Sequence, residues 1–111
     1  MRILSRRLAA LPAALLTLAV LPAVAQDART LHLRALAATC ANCHGTNGRA
    51  VDSASVPGLA GMPASYLVEQ LKAFKAGSRP ATVMHQLAKG YSDAQIQLIA
   101  GYFASQRQAT K

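Results

Sequence analysis

The chain has 111 residues, with twelve Lys/Arg against four Asp/Glu, a formal charge of +8 and two cysteines. That length predicts one domain behind any leader. The basic residues are scattered and build no basic helix, which excludes a nucleic-acid-binding reading and leaves solubility or an anionic protein partner as the meaning of the charge.

The N-terminus reads as an export signal. Arg2, Arg6 and Arg7 precede a nearly unbroken Leu/Ala/Val run from Leu8 to Leu21, and Ala23-Val24-Ala25 supplies the small residues of a cleavage site. Cleavage is expected after Ala25, which makes residues 1–25 a secretory signal peptide and residues 26–111 the mature domain. The alternative is a membrane anchor, but Pro12 and Pro22 interrupt the run, which is also short for a span of about 20 residues. Ser5-Arg6-Arg7 matches a twin-arginine signal only in part, since Leu8-Ala9-Ala10 lacks the usual continuation. General secretion, a periplasmic address and no stable membrane anchor after cleavage are therefore expected. The 86 residues that remain keep nine Lys/Arg and four acids, a charge of +5. A core of that size is marginal alone, so a covalent staple or a prosthetic group is expected.

Helices joined by Gly/Pro loops account for the rest, and no segment reads as a strand, so the fold class is all-α. A first helix is predicted from about Thr30 to Cys43, because Leu33, Leu36, Ala37 and Cys40 fall at i, i+3, i+4 and i+7. That stripe is expected to carry the cysteines inward. Gly45 to Gly61 lacks any sustained period and reads as a loop. A second helix is predicted from near Met62, with Pro63 in its tolerant first turn and Gly77 as its stop. Leu67, Leu71 and Phe74 form its apolar edge, with Glu69, Lys72 and Lys75 solvated. A short helix is expected from Pro80 to Lys89, ended by Gly90. The last opens with Ser92 as N-cap and Gln95 three residues on. Ile96, Ile99, Ala100 and Phe103 form its core face, widened by Leu98 and Tyr102.

The chemistry lies in Cys40-Ala41-Asn42-Cys43-His44. Two thiols one helical turn apart suit thioether formation with the two vinyl groups of one haem, and the adjoining histidine is then placed beneath the iron as its proximal ligand. Three other uses of the cysteines compete with this one. A thiol-disulfide enzyme places Cys-x-x-Cys at the start of a helix after a strand, whereas here it ends a helix. Zinc needs two further ligands, and His32, His44 and His85 lack finger-like spacing. A disulfide closing so short a loop would constrain the chain very little. Covalent haem c, one per chain, is the expected cofactor.

A low-spin carrier needs a distal ligand too, and a thioether favours ferrous iron. Met84 is the expected one, far enough downstream of His44 for the chain to wrap around a haem. His85 is its rival, and Met62 reads as a packing residue. The carbonyl of Pro57 is the expected acceptor for the second ring N–H of His44. Arg79 is a candidate partner for a haem propionate. Tyr66, Phe74, Tyr91 and Tyr102 either line the pocket or fill the core, with Tyr102 expected to pack on the first helix.

With the pentapeptide, the later Met84 and the Ser92-capped helix ending Ala100-Gly101-Tyr102-Phe103, the mature chain resembles class I c-type cytochromes over its whole length. That resemblance implies first and last helices that cross and loops that wrap one haem. Pro57-Gly58-Leu59-Ala60-Gly61, Tyr66 to Phe74, Arg79 to Met84 and Lys89-Gly90-Tyr91-Ser92-Asp93 make it most similar to the cytochrome subunit of flavocytochrome c sulfide dehydrogenase. The resemblance implies Cys40 and Cys43 as attachment sites, His44 and Met84 as axial ligands, and a flavoprotein subunit or other redox proteins as partners. His85 departs from the small residue expected after the axial methionine. With both axial positions filled, the chain is expected to carry single electrons and not to be an enzyme by itself. The alternative function is a free soluble cytochrome shuttling electrons between respiratory or photosynthetic complexes.

Overall fold

The computed structural model describes residues 21–50 and 55–107, which form four α-helices and a short 3-10 turn with no strand among them. The helices are α1 (Leu21–His44), α2 (Ala64–Ala76), α3 (Met84–Lys89) and α4 (Asp93–Ala104), and the 3-10 turn is Thr46–Gly48. The expected signal lies outside the described residues up to position 20. The chain divides between Leu31 and His32 into two units; of the first, only the N-terminal part of α1 is described. No described helix is long and apolar enough to cross a membrane.

The all-helical expectation holds, with boundary differences that have local causes. Helix α1 begins nine residues before the predicted Thr30, since no Gly or Pro between Ala23 and His44 interrupts it. Helix α3 is confined to Met84–Lys89, with Val83, at φ −130°, as its N-cap. Helix α2 starts after Pro63 and stops at Gly77, whose φ of +76° is the left-handed C-cap that glycine supplies at least cost. At α4 the capping box is complete. Ser92 Oγ accepts from the Gln95 N–H at 3.2 Å, and the Ser92 N–H donates to Gln95 Oε1 at 2.8 Å.

The core of the unit His32–Lys111 gathers Ala37 of α1, Leu67 of α2 and Ile99, Ala100 and Phe103 of α4. Ala37 and Ala100 are the small residues in this cluster. Helix α2 is the hub, packing on both α3 and α4. The predicted core face of α4 is buried throughout, but Leu98 is 42% exposed, so it does not widen that face. Met62 packs against the core as a partly buried side chain, the structural role expected of it. The stripe on α1 carries Cys40 partly inward, whereas Cys43 is exposed. The turn after Cys40 has carried the second thiol off the buried edge.

Gly48 is the tightest point. Its φ is +75°, and a Cβ there would lie 2.7 Å from Phe103 Cδ1 and 2.9 Å from the Ala60 backbone nitrogen. Gly48→Ala is therefore expected to lower unfolding stability by about 2–4 kcal/mol, through left-handed strain plus overpacking. A thermal melt checks this, and an unchanged midpoint would contradict the packing described.

Candidate functional site

The last turn of α1 carries Cys40, Cys43 and His44, and Gly45 ends the helix. Gly45 has φ +81°, and any Cβ there would meet the Arg49 carbonyl oxygen at 2.1 Å, so only glycine allows the chain to double back immediately after His44. The reversal continues through Asn47, at φ 55°, and Gly48. The Gly48 carbonyl then accepts from the N–H groups of Leu59 and Ala60 at 2.7 and 3.1 Å. That pair of bonds clamps the segment after Pro57 onto the turn after His44.

The clamp delivers the Pro57 carbonyl to His44, whose Nδ1 lies 2.7 Å from it. A carbonyl only accepts, so Nδ1 carries the proton. In the neutral imidazole the free lone pair is then on Nε2, the atom available to a metal. His44 is 9% exposed, and this bond satisfies the polar atom that its burial would otherwise strand. Helix α4 supports the clamp from behind. The Tyr102 hydroxyl donates to Asn47 Oδ1 at 2.6 Å, and the Phe103 carbonyl accepts from the Gly61 N–H at 2.9 Å. Tyr102 thus packs partly on the core, as expected, and also holds the turn.

The two thiols are free and three residues apart on the helix. Burial pushes the Cys40 thiol above its ordinary range, opposed by the adjoining Thr39 hydroxyl and reinforced by Cys43. Among the described residues, no group of three or more His, Cys, Asp or Glu side chains comes together as a metal site.

Met84 is the first residue of α3 and is half-buried, and unlike Met62 it is not part of the core packing. Around it in sequence, Val83 and Leu87 are 54% and 48% exposed. The neighbouring His85 has a buried Nδ1 with no hydrogen-bond partner. Two free thiols and an imidazole with Nε2 unengaged at one helix end suit a group bound through both sulfur and a metal-held nitrogen, while Met84 and the orphaned His85 Nδ1 lie on a separate helix. Haem is such a group, and the donor set is chemically suited to it.

Arg79, expected near a propionate, donates from Nη1 to Gln70 Oε1 and lies over the Phe74 ring, 4.5 Å from its centroid. The structure does not bring it to the His44 cluster. A groove of about 500 Å³ borders another face of α1, lined by Arg34, Ala37, Ala38 and Ala41 with Tyr102 and Gln106. It contains neither thiol nor His44. Sequence reasoning missed the supporting residues Asn47, Gly48 and Thr39; the Asn-Gly pair was a legible turn signal, whereas Thr39 offered none.

The cytochrome c family model matches residues 34–107. Over 70 residues the chain is 44% identical to the cytochrome subunit of sulfide dehydrogenase from Chlorobaculum tepidum, covering 63% of this chain and 62% of that one. It is 40% identical over 75 residues to a thiosulfate dehydrogenase electron acceptor from Thiomonas intermedia, covering 68% and 35%. With cytochrome c-554(548) of Halomonas halodenitrificans it shares 41% over 71 residues, covering 61% and 84%. The match thus spans about three fifths and one third of the first two relatives, and most of the third.

The tautomer is directly testable. Nitrogen NMR of the purified protein is expected to find His44 protonated on Nδ1, with that proton protected from exchange. A proton on Nε2 would contradict the Pro57 bond.

Proposed function

The chain belongs to the cytochrome c family, and from that membership we propose a periplasmic single-electron carrier whose one covalent haem is held by Cys40, Cys43, His44 and Met84. The observation that carries this reading is the engagement of His44 Nδ1 by the Pro57 carbonyl, on the same helical turn as two free thiols. The protein is helical without strands among its described residues, as expected of class I cytochromes c, and its family's cofactor is covalent haem c.

Each thiol would add its sulfur to one carbon of a vinyl group and its hydrogen to the other, leaving the oxidation state unchanged. His44 Nε2 would bind the iron from one side, held in orientation and made more basic by Pro57. The Met84 thioether would bind from the other, favouring the ferrous form. Bound haem supplies a one-electron couple between ferrous and ferric iron. With two protein ligands in place, no coordination position is left for a substrate and no side-chain acid or base is required. The single Cys-x-x-Cys-His supports one haem on these residues.

The donor we propose is a flavoprotein sulfide dehydrogenase, on the strength of the Chlorobaculum relative, with residues 1–25 as the export signal that brings the chain to it. A second reading is favoured by one observation. The chain covers 84% of a relative named only as a cytochrome, so a free soluble shuttle is the rival.

Two results are expected of the holoprotein. Met84→Ala should abolish the ferric methionine-to-iron charge-transfer band and lower the reduction potential, and Cys43→Ser should impair covalent attachment in a pyridine-haemochrome assay. Retention of the band in Met84→Ala would overturn the distal assignment in favour of another ligand. For the partner, purification from the native source should yield the haem protein together with flavin absorbance. A purely monomeric haem protein would favour the shuttle.

A further inference from the structure

The structure contains one polar connection that the site described above does not use, and it joins the two segments that would carry the iron ligands. Tyr91 follows α3 by two residues and is tied to its last turn, its N–H donating to the Ala88 carbonyl at 3.2 Å while the Gly90 N–H donates to Leu87 at 3.1 Å. The Tyr91 carbonyl accepts from Lys75 Nζ of α2 at 2.7 Å, and the same ammonium pairs with Asp93 at 3.0 Å. Its ring packs partly against the core. Both the backbone and the ring of Tyr91 are thus held, so the phenol oxygen has a defined position.

That oxygen lies 2.5 Å from Thr39 Oγ1 on α1, 52 residues earlier in the chain. The direction of the bond can be deduced. Thr39 has one hydroxyl proton, and it goes to the Leu36 carbonyl at 2.7 Å. The Thr39 oxygen must therefore accept, and the phenol donates. Thr39 immediately precedes Cys40, whose sulfur is 3.8 Å from the same oxygen. Helix α2 packs on α3 and on α4, whereas α1 and α3 share no extensive packing.

Resting on the reading that Cys40, His44 and Met84 surround a haem, we propose that Tyr91 is a positioning residue whose phenol keys α3, and with it the distal ligand, to the attachment turn of α1 through Thr39. Loss of the bond frees α3 to move away from α1, and the consequence is faster exchange of the distal ligand with the resting coordination otherwise intact. A neutral hydrogen bond of this kind corresponds to about a 2- to 10-fold change in an opening equilibrium.

The test measures the rate at which imidazole displaces the distal ligand of the ferric holoprotein, with the charge-transfer band recorded first. Tyr91→Phe and Thr39→Val keep shape and remove one partner each, and Thr39→Ser keeps the accepting oxygen and loses a methyl group. The expected result is displacement about 2- to 10-fold faster in Tyr91→Phe and in Thr39→Val, no further gain in the double variant, and near wild-type rates in Thr39→Ser. Wild-type rates in both single variants would overturn the proposal. So would effects that multiply in the double variant, or a Thr39→Ser protein as fast as Thr39→Val, because packing alone would then be at work. A wild-type protein without the charge-transfer band would sink Met84 as ligand and leave this test standing, since His85 lies on the same turn of α3. Amide hydrogen exchange of residues 84–91, faster in Tyr91→Phe than in the wild type if the bond keys α3, decides the question without reference to the haem.

Discussion

The hydrogen bond between His44 Nδ1 and the Pro57 carbonyl is the contact on which the arrangement of this protein turns. A helix end leaves its last side chains free to take several rotamers, and an imidazole there has two equivalent-looking nitrogens. Accepting one proton at a fixed place removes both freedoms. To put a carbonyl at that place, the chain must reverse within a few residues of His44 and return thirteen residues later. The glycines at 45 and 48, the left-handed Asn47 and the two N–H groups on the Gly48 carbonyl accomplish this.

The terminal helix holds the reversal in turn. Phe103 fills the space that a side chain at position 48 would occupy, its carbonyl takes the Gly61 N–H, and Tyr102 takes hold of Asn47. Core packing and site geometry are therefore one construction, because the residues burying apolar area in α4 are the same or adjacent to those that orient the loop. Rigidity at His44 is supplied by backbone bonds and packed rings.

The segment that carries Met84 is built on different terms. Helix α3 has only six residues, too short to be stable alone, and it is held by α2, by the Lys75 grip on Tyr91 and by the phenol contact with Thr39. Exposed Val83 and Leu87 and the orphaned His85 Nδ1 belong to this segment.

Much of this was legible in the sequence by itself, wherever the physics is local. The helical period of the core residues, the Ser92 cap with Gln95, the stops at Gly77 and Gly90 and the one-turn spacing of Cys40, Cys43 and His44 depend on neighbours a few positions away. The Pro57 carbonyl was expected beside His44, and the distance is now 2.7 Å. What tertiary structure alone decided is everything that requires knowing which distant groups meet. Thr39 and Tyr91, 52 residues apart, carry no pattern that pairs them. The stacking of Arg79 on Phe74 has no local signal either, and Leu98 shows the helical period of the core yet stays 42% exposed. Periodicity says which face a residue shares; only the packed chain says whether another element covers that face.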